Sequence, residues 1–275
     1  MIGMASDQAE PRIHTIEVTG ARLHVESRGD GPRLLLLGGM AGGGGLAALT
    51  PLLAEHYTVI THDRRGIGHS TAVDPDAQVE IATDADDVAA LIAALTAEPV
   101  LVAGTSNGAV CGLDLAIRHP ERVRGLLAHE PPLPGLLSPE ERTTLRDGQA
   151  HVDAALRAGD PTAAAARLAA LTGMPRSGPV PSTPNPQLAA RAAYLARVAL
   201  ALHRYQLDVD ALSRTPARIV PGAGAEDRDH GAYRSAVALA ALRHVDLVEF
   251  PGGHAGFVTR PDEFADRLIE VLTGF

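Results

Sequence analysis

Cysteine, lysine and long apolar runs are nearly or wholly missing from these 275 residues. With the single cysteine Cys111 no intramolecular disulfide can form, and a small buried packing role is the reading for it. No apolar run approaches the roughly 20 residues needed to cross a bilayer. The opening segment, Met1 to Pro11, lacks the basic-then-apolar layout of a signal peptide. Every basic residue is arginine, which we read as codon bias and not as chemistry. These arginines never gather into a block, and the formal net charge is −9, so nucleic acid and membrane surfaces are poor partners. The expectation is a soluble, cytoplasmic protein. Neither a His-Glu-x-x-His run nor a Cys/His cluster is present, so no metal is implied. The glycine runs lack the Lys-Ser/Thr ending of a phosphate-binding loop, and no cofactor is expected. Oligomeric state is not readable.

What is present is an ordinary globular mix, 45% hydrophobic and 21% charged, long enough for one α/β domain with an insertion. Arg12 to Val18 and Ala21 to Glu26 straddle Thr19-Gly20 and read as an opening hairpin. Arg33 to Leu37, Tyr57 to Thr61, Pro99 to Ala103, Arg122 to Ala128, Ala217 to Val220 and His244 to Phe250 read as further strands, with a helix from about Ala82 to Leu95. Fully apolar strands interleaved with helices imply a parallel sheet covered on both faces. The alternation breaks between about Pro131 and Ser213. Helical spacing appears there over Pro139 to Ala158, Pro161 to Leu171 and Gln187 to Leu207, around a Pro/Ser/Gly-rich connector from Met174 to Pro186. The economical reading is a core of residues 1–130 and 214–275 with a helical cap at 131–213.

The strand Pro99 to Ala103 runs into Gly104-Thr105-Ser106-Asn107-Gly108 and then into helical spacing from Ala109 to Ile117. Strand, G-x-S-x-G, helix is the order that exposes a nucleophilic serine. A sharp turn lifts the hydroxyl clear of the sheet, and flanking glycines let strand and helix nearly touch. The helix that follows aims its first N–H groups, Asn107 foremost, at a developing oxyanion. A glycine-rich turn with a bystander serine would look the same in isolation, and the placement between strand and helix favours the functional reading. Near the other end, Gly252-Gly253-His254 follows the last strand and precedes a helix from about Pro261 to Leu272. A histidine on a loop at that sheet edge can reach a serine held at the same edge. Of 12 histidines, His254 is the one near the C-terminus in that setting.

These motifs, with Asp63-Arg64-Arg65-Gly66-Ile67-Gly68-His69-Ser70, resemble the α/β-hydrolase superfamily over roughly Ile13 to Leu272. The resemblance implies a mostly parallel, eight-stranded sheet with a helical cap inserted after the sixth strand. It assigns Ser106 as nucleophile and His254 as base. The superfamily's oxyanion loop usually begins His-Gly; here it reads Gly38-Gly39-Met40, so the Met40 N–H matches the donating position beside Asn107, and Gly39 borders the substrate. The acid is open. The usual site, a few residues past Gly222, holds Gly224 or Ala225, with Glu226 and Asp227 just beyond. Some members instead carry the acid at the end of the sixth strand, where Glu130 stands before two prolines. Glu130 is placed first, with Asp227 or Glu226 as the alternative.

The implied activity is a serine hydrolase of carboxylesterase type, cleaving an ester, lactone or thioester of a small to medium apolar molecule through an acyl-Ser106 intermediate. A serine in place of aspartate at the elbow argues against dehalogenase or epoxide-hydrolase chemistry. His129, His203 and Tyr205 are expected to line the substrate pocket. Two other readings stand beside this one: a non-hydrolytic lyase, acyltransferase, cyclase or cofactor-free oxygenase on the same fold, and a ligand-binding protein on a hydrolase scaffold. The intact Ser106 and His254 argue against the last.

Overall fold

The computed structural model describes residues 10–39, 45–172, 194 and 197–275. The hairpin forms as the Thr19-Gly20 signal predicts: β1 (Arg12–Val18) pairs antiparallel with β2 (Ala21–Arg28) around Gly20, whose φ of +76° suits glycine. The apolar runs become β3 (Arg33–Leu37), β4 (Thr58–His62), β6 (Val100–Thr105), β7 (Val123–His129), β8 (Arg218–Gly224) and β9 (Val248–Phe250). The sheet runs β1-β2-β4-β3-β6-β7-β8-β9, parallel from β4 onward. A two-residue strand, β5 (Thr71–Ala72), adds to the flank of β2 and was not anticipated. The expected strand from His244 is shorter in fact, because His244 closes the preceding helix in the left-handed conformation with φ +53° and pairing begins only at Val248.

Successive apolar residues on the buried strands point to opposite faces, and two cores result. Leu35 and Leu37 of β3, with Val100 and Val102 of β6, pack toward α2 (Ile81–Leu95), α3 (Asn107–Arg118) and α8 (Gly231–Arg243). Leu34, Leu36, Leu101 and Ala103 pack the other way, onto α1 (Leu49–Leu53) and the amphipathic C-terminal α10 (Pro261–Thr273) through Leu53, Phe264 and Leu268. A four-residue helix, α9 (Gly256–Thr259), leads into α10. The Asp63 to Ser70 turn is tied to α2 by ion pairs of Arg64 with Asp84 and Arg65 with Asp87. The first of these is buried on both sides.

Between β7 and β8 the described residues form no strand. They build α4 (Pro139–Arg157), α5 (Pro161–Thr172), a helix over residues 197–204 that we label α6, and α7 (Val209–Arg214), which is N-capped by Asp208. The connector expected at Met174 to Pro186, and the start of the Gln187 helix, lie outside the described residues. No helix among the described residues is long and apolar enough to cross a membrane.

Candidate active site

The parallel strands deliver their C-terminal ends to one edge, and the site is built there. Thr105 of β6 pairs with His129 of β7, and His129 with Gly222 of β8. The next residues leave the ladder together. Ser106 donates its N–H to the His129 carbonyl (2.9 Å), and Glu130 donates its N–H to the Gly222 carbonyl (2.9 Å). Both are forced into positive φ, 53° at Ser106 and 47° at Glu130. Such backbone strain costs roughly 1–3 kcal/mol and persists only where the surroundings over-determine it.

The surroundings of Ser106 do so. A Cβ at Gly104 would stand 2.6 Å from the Gly108 carbonyl oxygen, and one at Gly108 would stand 2.0 Å from that of Leu37. Both glycines are therefore steric requirements of the strand-to-helix crossing, as the motif predicts. Ser106 is the N-cap residue of α3. Asn107 is its first residue, so its N–H has no carbonyl a turn earlier to bond and remains available at the helix's positive end. Gly39 lies beside the serine, since its Cβ would sit 3.4 Å from Ser106 Cβ. Met40, the other candidate donor, lies outside the described residues.

His254 is carried on the loop between β9 and α9. Its Nδ1 is 2.6 Å from Glu130 Oε2, both side chains being buried. The second oxygen, Oε1, accepts the Gly224 N–H at 2.7 Å. A carboxylate can only accept, so Nδ1 carries the proton and Nε2 is the basic nitrogen. Burial would raise the Glu130 carboxyl, but its hydrogen bonds to His254 and Gly224 and the nearby imidazoles prevail and hold it below the usual glutamate value. It is thus an anion at neutral pH.

Asp227 and Glu226 do something else. Asp227 Oδ2 accepts the backbone N–H of His254 at 2.7 Å, and Glu226 pairs with Arg260 at 2.5 Å. Neither meets the imidazole ring. Of the two positions where the acid usually stands, Gly224 and Ala225, the first has no room for a side chain: a Cβ on Gly224 would come within 2.4 Å of the Gly253 backbone. Asp227 remains important as the clamp of the histidine loop, and a Cβ on Gly253 would strike its carboxylate.

Ser106 and His254 line one cavity of about 100 Å³. Its walls are chiefly apolar, with Pro132, Pro134, Leu145 and Leu202 among them, and Gln149 and His203 supply polar groups. His203 bonds the Ala199 carbonyl through Nδ1. Two residues expected in the lining are elsewhere. Tyr205 donates its hydroxyl to Asp114 at 3.0 Å and packs on the core beneath α3. His129 is fully buried, its ring set edge-on to Phe250 and Phe264. Burial lowers its pKa to about 4, so it is a neutral packing residue. The Tyr205 position follows from α6 ending against α3, which no periodicity reveals.

For metal-binding side chains, His24, Asp63 and His69 have their ligand-type atoms within 4.8 Å of one another. None lines the Ser106 cavity. Asp63 Oδ2 accepts the His69 N–H (2.8 Å) and stands 3.2 Å from its Nδ1, so the hydrogen bonding of the turn accounts for the gathering.

Comparison with known proteins accords with this fold. Residues 32–172 match a family model described as alpha/beta hydrolase fold. The chain is 34% identical over 267 residues to an uncharacterized hydrolase, YraK, of Bacillus subtilis, covering 94% of this chain and 95% of that one. A putative carbamate hydrolase, RutD, of Azorhizobium caulinodans is 37% identical over 108 residues, which are 38% of this chain and 40% of the relative. Among solved structures, a thermophilic esterase from Thermogutta terrifontis superposes with a TM-score of 0.74 at 21% identity, over 97% of this chain and 99% of that one.

Proposed function

Because this chain belongs to the α/β-hydrolase fold family, we propose that it is a serine hydrolase acting on small esters, lactones or thioesters through an acyl-Ser106 intermediate. One observation carries the reading. His254 has its Nδ1 fixed to a buried glutamate while it shares a cavity with a serine on a strained elbow. That arrangement leaves Nε2 as the base for the serine.

In this mechanism Nε2 of His254 takes the Ser106 proton as Oγ attacks the substrate carbonyl carbon. The Asn107 N–H, at the start of α3, stabilises the oxyanion; a donor of this kind contributes about 3 kcal/mol by mutational precedent. Collapse of the tetrahedral adduct breaks the bond to the leaving group, which receives the proton from His254. Water then attacks the acyl-serine with His254 again as base, releasing the acid and restoring Ser106. Glu130 stays ionised throughout, fixing the imidazole tautomer and stabilising the imidazolium. The division into a core and a helical cap at 131–213 belongs to the same reading, with the cap supplying the apolar walls. The cavity size favours a short acyl or alkyl group, and the likeness to an esterase supports acyl chemistry.

Intact-mass measurement after exposure to a fluorophosphonate tests it, with Ser106→Ala as control. One adduct on the wild type and none on the control is the expected result. A folded wild type that takes up no reagent would remove the activated serine from the proposal.

A further inference from the structure

The cavity that holds Ser106 is bounded by Gln149 of α4 and His203 of α6, and these two residues also line a second cleft of about 480 Å³. The two spaces share a wall and apolar surface predominates in both, but only the second is lined by arginines: Arg146, Arg157 and Arg197 stand there with a single carboxylate, Asp153.

Three arginines around one concavity stand out in a chain whose formal charge is −9. Their pairing is weak. Arg146 has only its neighbour Asp147 at 3.5 Å, with both side chains largely exposed, and Arg157 has no ion pair among the described residues. Arg197 is held in place: Nη1 donates to the Pro75 carbonyl at 2.7 Å and stands 3.8 Å from Asp76 Oδ1 on an exposed side chain, and its guanidinium lies 5.9 Å from the Tyr194 ring centroid. Its Nε is buried and has no partner among the described residues. Asp153 is itself engaged, accepting from the Gln149 amide at 2.9 Å. The cleft thus keeps guanidinium donors in excess, and guanidinium is the group best suited to bind a carboxylate through two parallel hydrogen bonds.

Resting on the serine-hydrolase reading, we infer that the arginine cleft is the subsite for a carboxylate on the substrate, separated from the scissile ester by a short apolar spacer. The ester end lies in the apolar cavity at Ser106, and the spacer passes the Gln149–His203 wall. The substrate class is a half-ester of a dicarboxylic acid, or the ester of a hydroxy acid. A single negative charge fits the cleft better than a dianion, because Asp153 offsets one arginine and Asp76 stands 3.8 Å from Arg197, which leaves about one guanidinium charge uncompensated.

Two matched pairs of esters test the inference. On the acyl side the pair is 4-nitrophenyl hemiglutarate and its methyl ester. On the alcohol side it is 4-butyryloxybenzoate and its methyl ester. The expected result is that in at least one pair the anionic member has a kcat/KM about tenfold higher at low salt, carried by KM. The advantage should shrink as ionic strength rises. It should fall to about one in Arg157→Gln/Arg197→Gln, the ratio being read within each variant so that loss of folded enzyme cancels. No preference in either pair, or a preference that survives the substitutions, overturns the subsite. Failure of the underlying reading looks different: neither member of any pair is cleaved and Ser106 takes up no fluorophosphonate.

Discussion

Ser106 and Glu130 occupy equivalent places on neighbouring strands, each one residue beyond a paired strand end and each at positive φ. The Ser106 N–H donates to His129, the residue before Glu130, so the two turns are welded through one hydrogen bond. An acid at the end of β7 therefore inherits the rigidity of the elbow beside it. An acid on the loop after β8 depends instead on how that loop folds. The sheet offers Glu130 a further anchor in the Gly224 N–H, at the place where an acid is usually found.

The first prediction separates the two carboxylates near His254. Glu130→Gln keeps the shape but removes the anion that fixes the imidazole tautomer, and turnover should fall on the order of 10³- to 10⁴-fold. Asp227→Asn loosens the histidine loop by weakening the acceptor of the His254 N–H, so its loss should be far smaller. Steady-state kinetics on a 4-nitrophenyl ester ranks the two. The reverse ranking would return the acid to the conventional loop.

A second prediction asks why the conventional position is empty. Gly224→Asp would place a carboxylate there but drive its Cβ into the Gly253 backbone, at 2.4 Å in the undisturbed structure. Backbone atoms cannot swing aside as a side-chain tip can. Overpacking of this kind costs typically 1–3 kcal/mol, and the displaced histidine loop should lower activity as well. Urea unfolding measures the first effect. A variant as stable and active as the parent would show that the loop yields easily.

Much of this layout was legible in the chain, and the remainder was hidden for identifiable reasons. The inner parallel strands announce themselves because strands buried on both faces are apolar throughout, the opening hairpin because Thr19-Gly20 separates two short runs, and the elbow because two glycines and a serine fall between a strand and a helix. Residue order alone leaves the partner of His254 open between Glu130 and Asp227 or Glu226. That choice turns on a backbone conformation, positive φ at a glutamate, and on an interstrand N–H, neither of which leaves a mark on residue order. The buried Arg64–Asp84 pair and helix α8 leave no plain mark in the sequence either. The first joins residues 20 positions apart, and the second is an alanine-rich stretch with no strong apolar stripe.

The third prediction concerns acid stability. Burial lowers His129 and His62 to about 4, well below the ordinary imidazole value of 6.5. Both are neutral when folded and take up a proton on unfolding at any pH between those values. Their contribution to stability is therefore complete above pH 6.5 and is lost as pH falls from there toward 4. Each contributes a slope of up to about 1.4 kcal/mol per pH unit. His129→Leu should flatten the slope by one proton equivalent while costing little at pH 7, since neither ring nitrogen of His129 has a hydrogen-bond partner among the described residues. Urea midpoints at pH 7 and 5 check this, and an unchanged slope would mean that His129 is protonated in the fold.

The fourth prediction sets two glycines beside the serine against each other. Gly108→Ala puts a methyl group 2.0 Å from the Leu37 carbonyl oxygen, within the contact of α3 on β3, so the elbow itself must deform. Gly39→Ala meets Ser106 Cβ at 3.4 Å and Oγ at 3.9 Å, which is close but not prohibitive. The first should destabilise the fold by several kcal/mol, on the scale of the largest single-residue effects. The second should leave the fold nearly as stable and act on the reaction, because its added methyl group crowds the serine that must meet the substrate carbonyl. Thermal unfolding read alongside kcat and KM distinguishes them: a lower melting temperature with Gly108→Ala, and lower kcat/KM at a nearly unchanged melting temperature with Gly39→Ala. If Gly39→Ala left kcat/KM untouched, the acyl group would approach Ser106 from a side that Gly39 does not border.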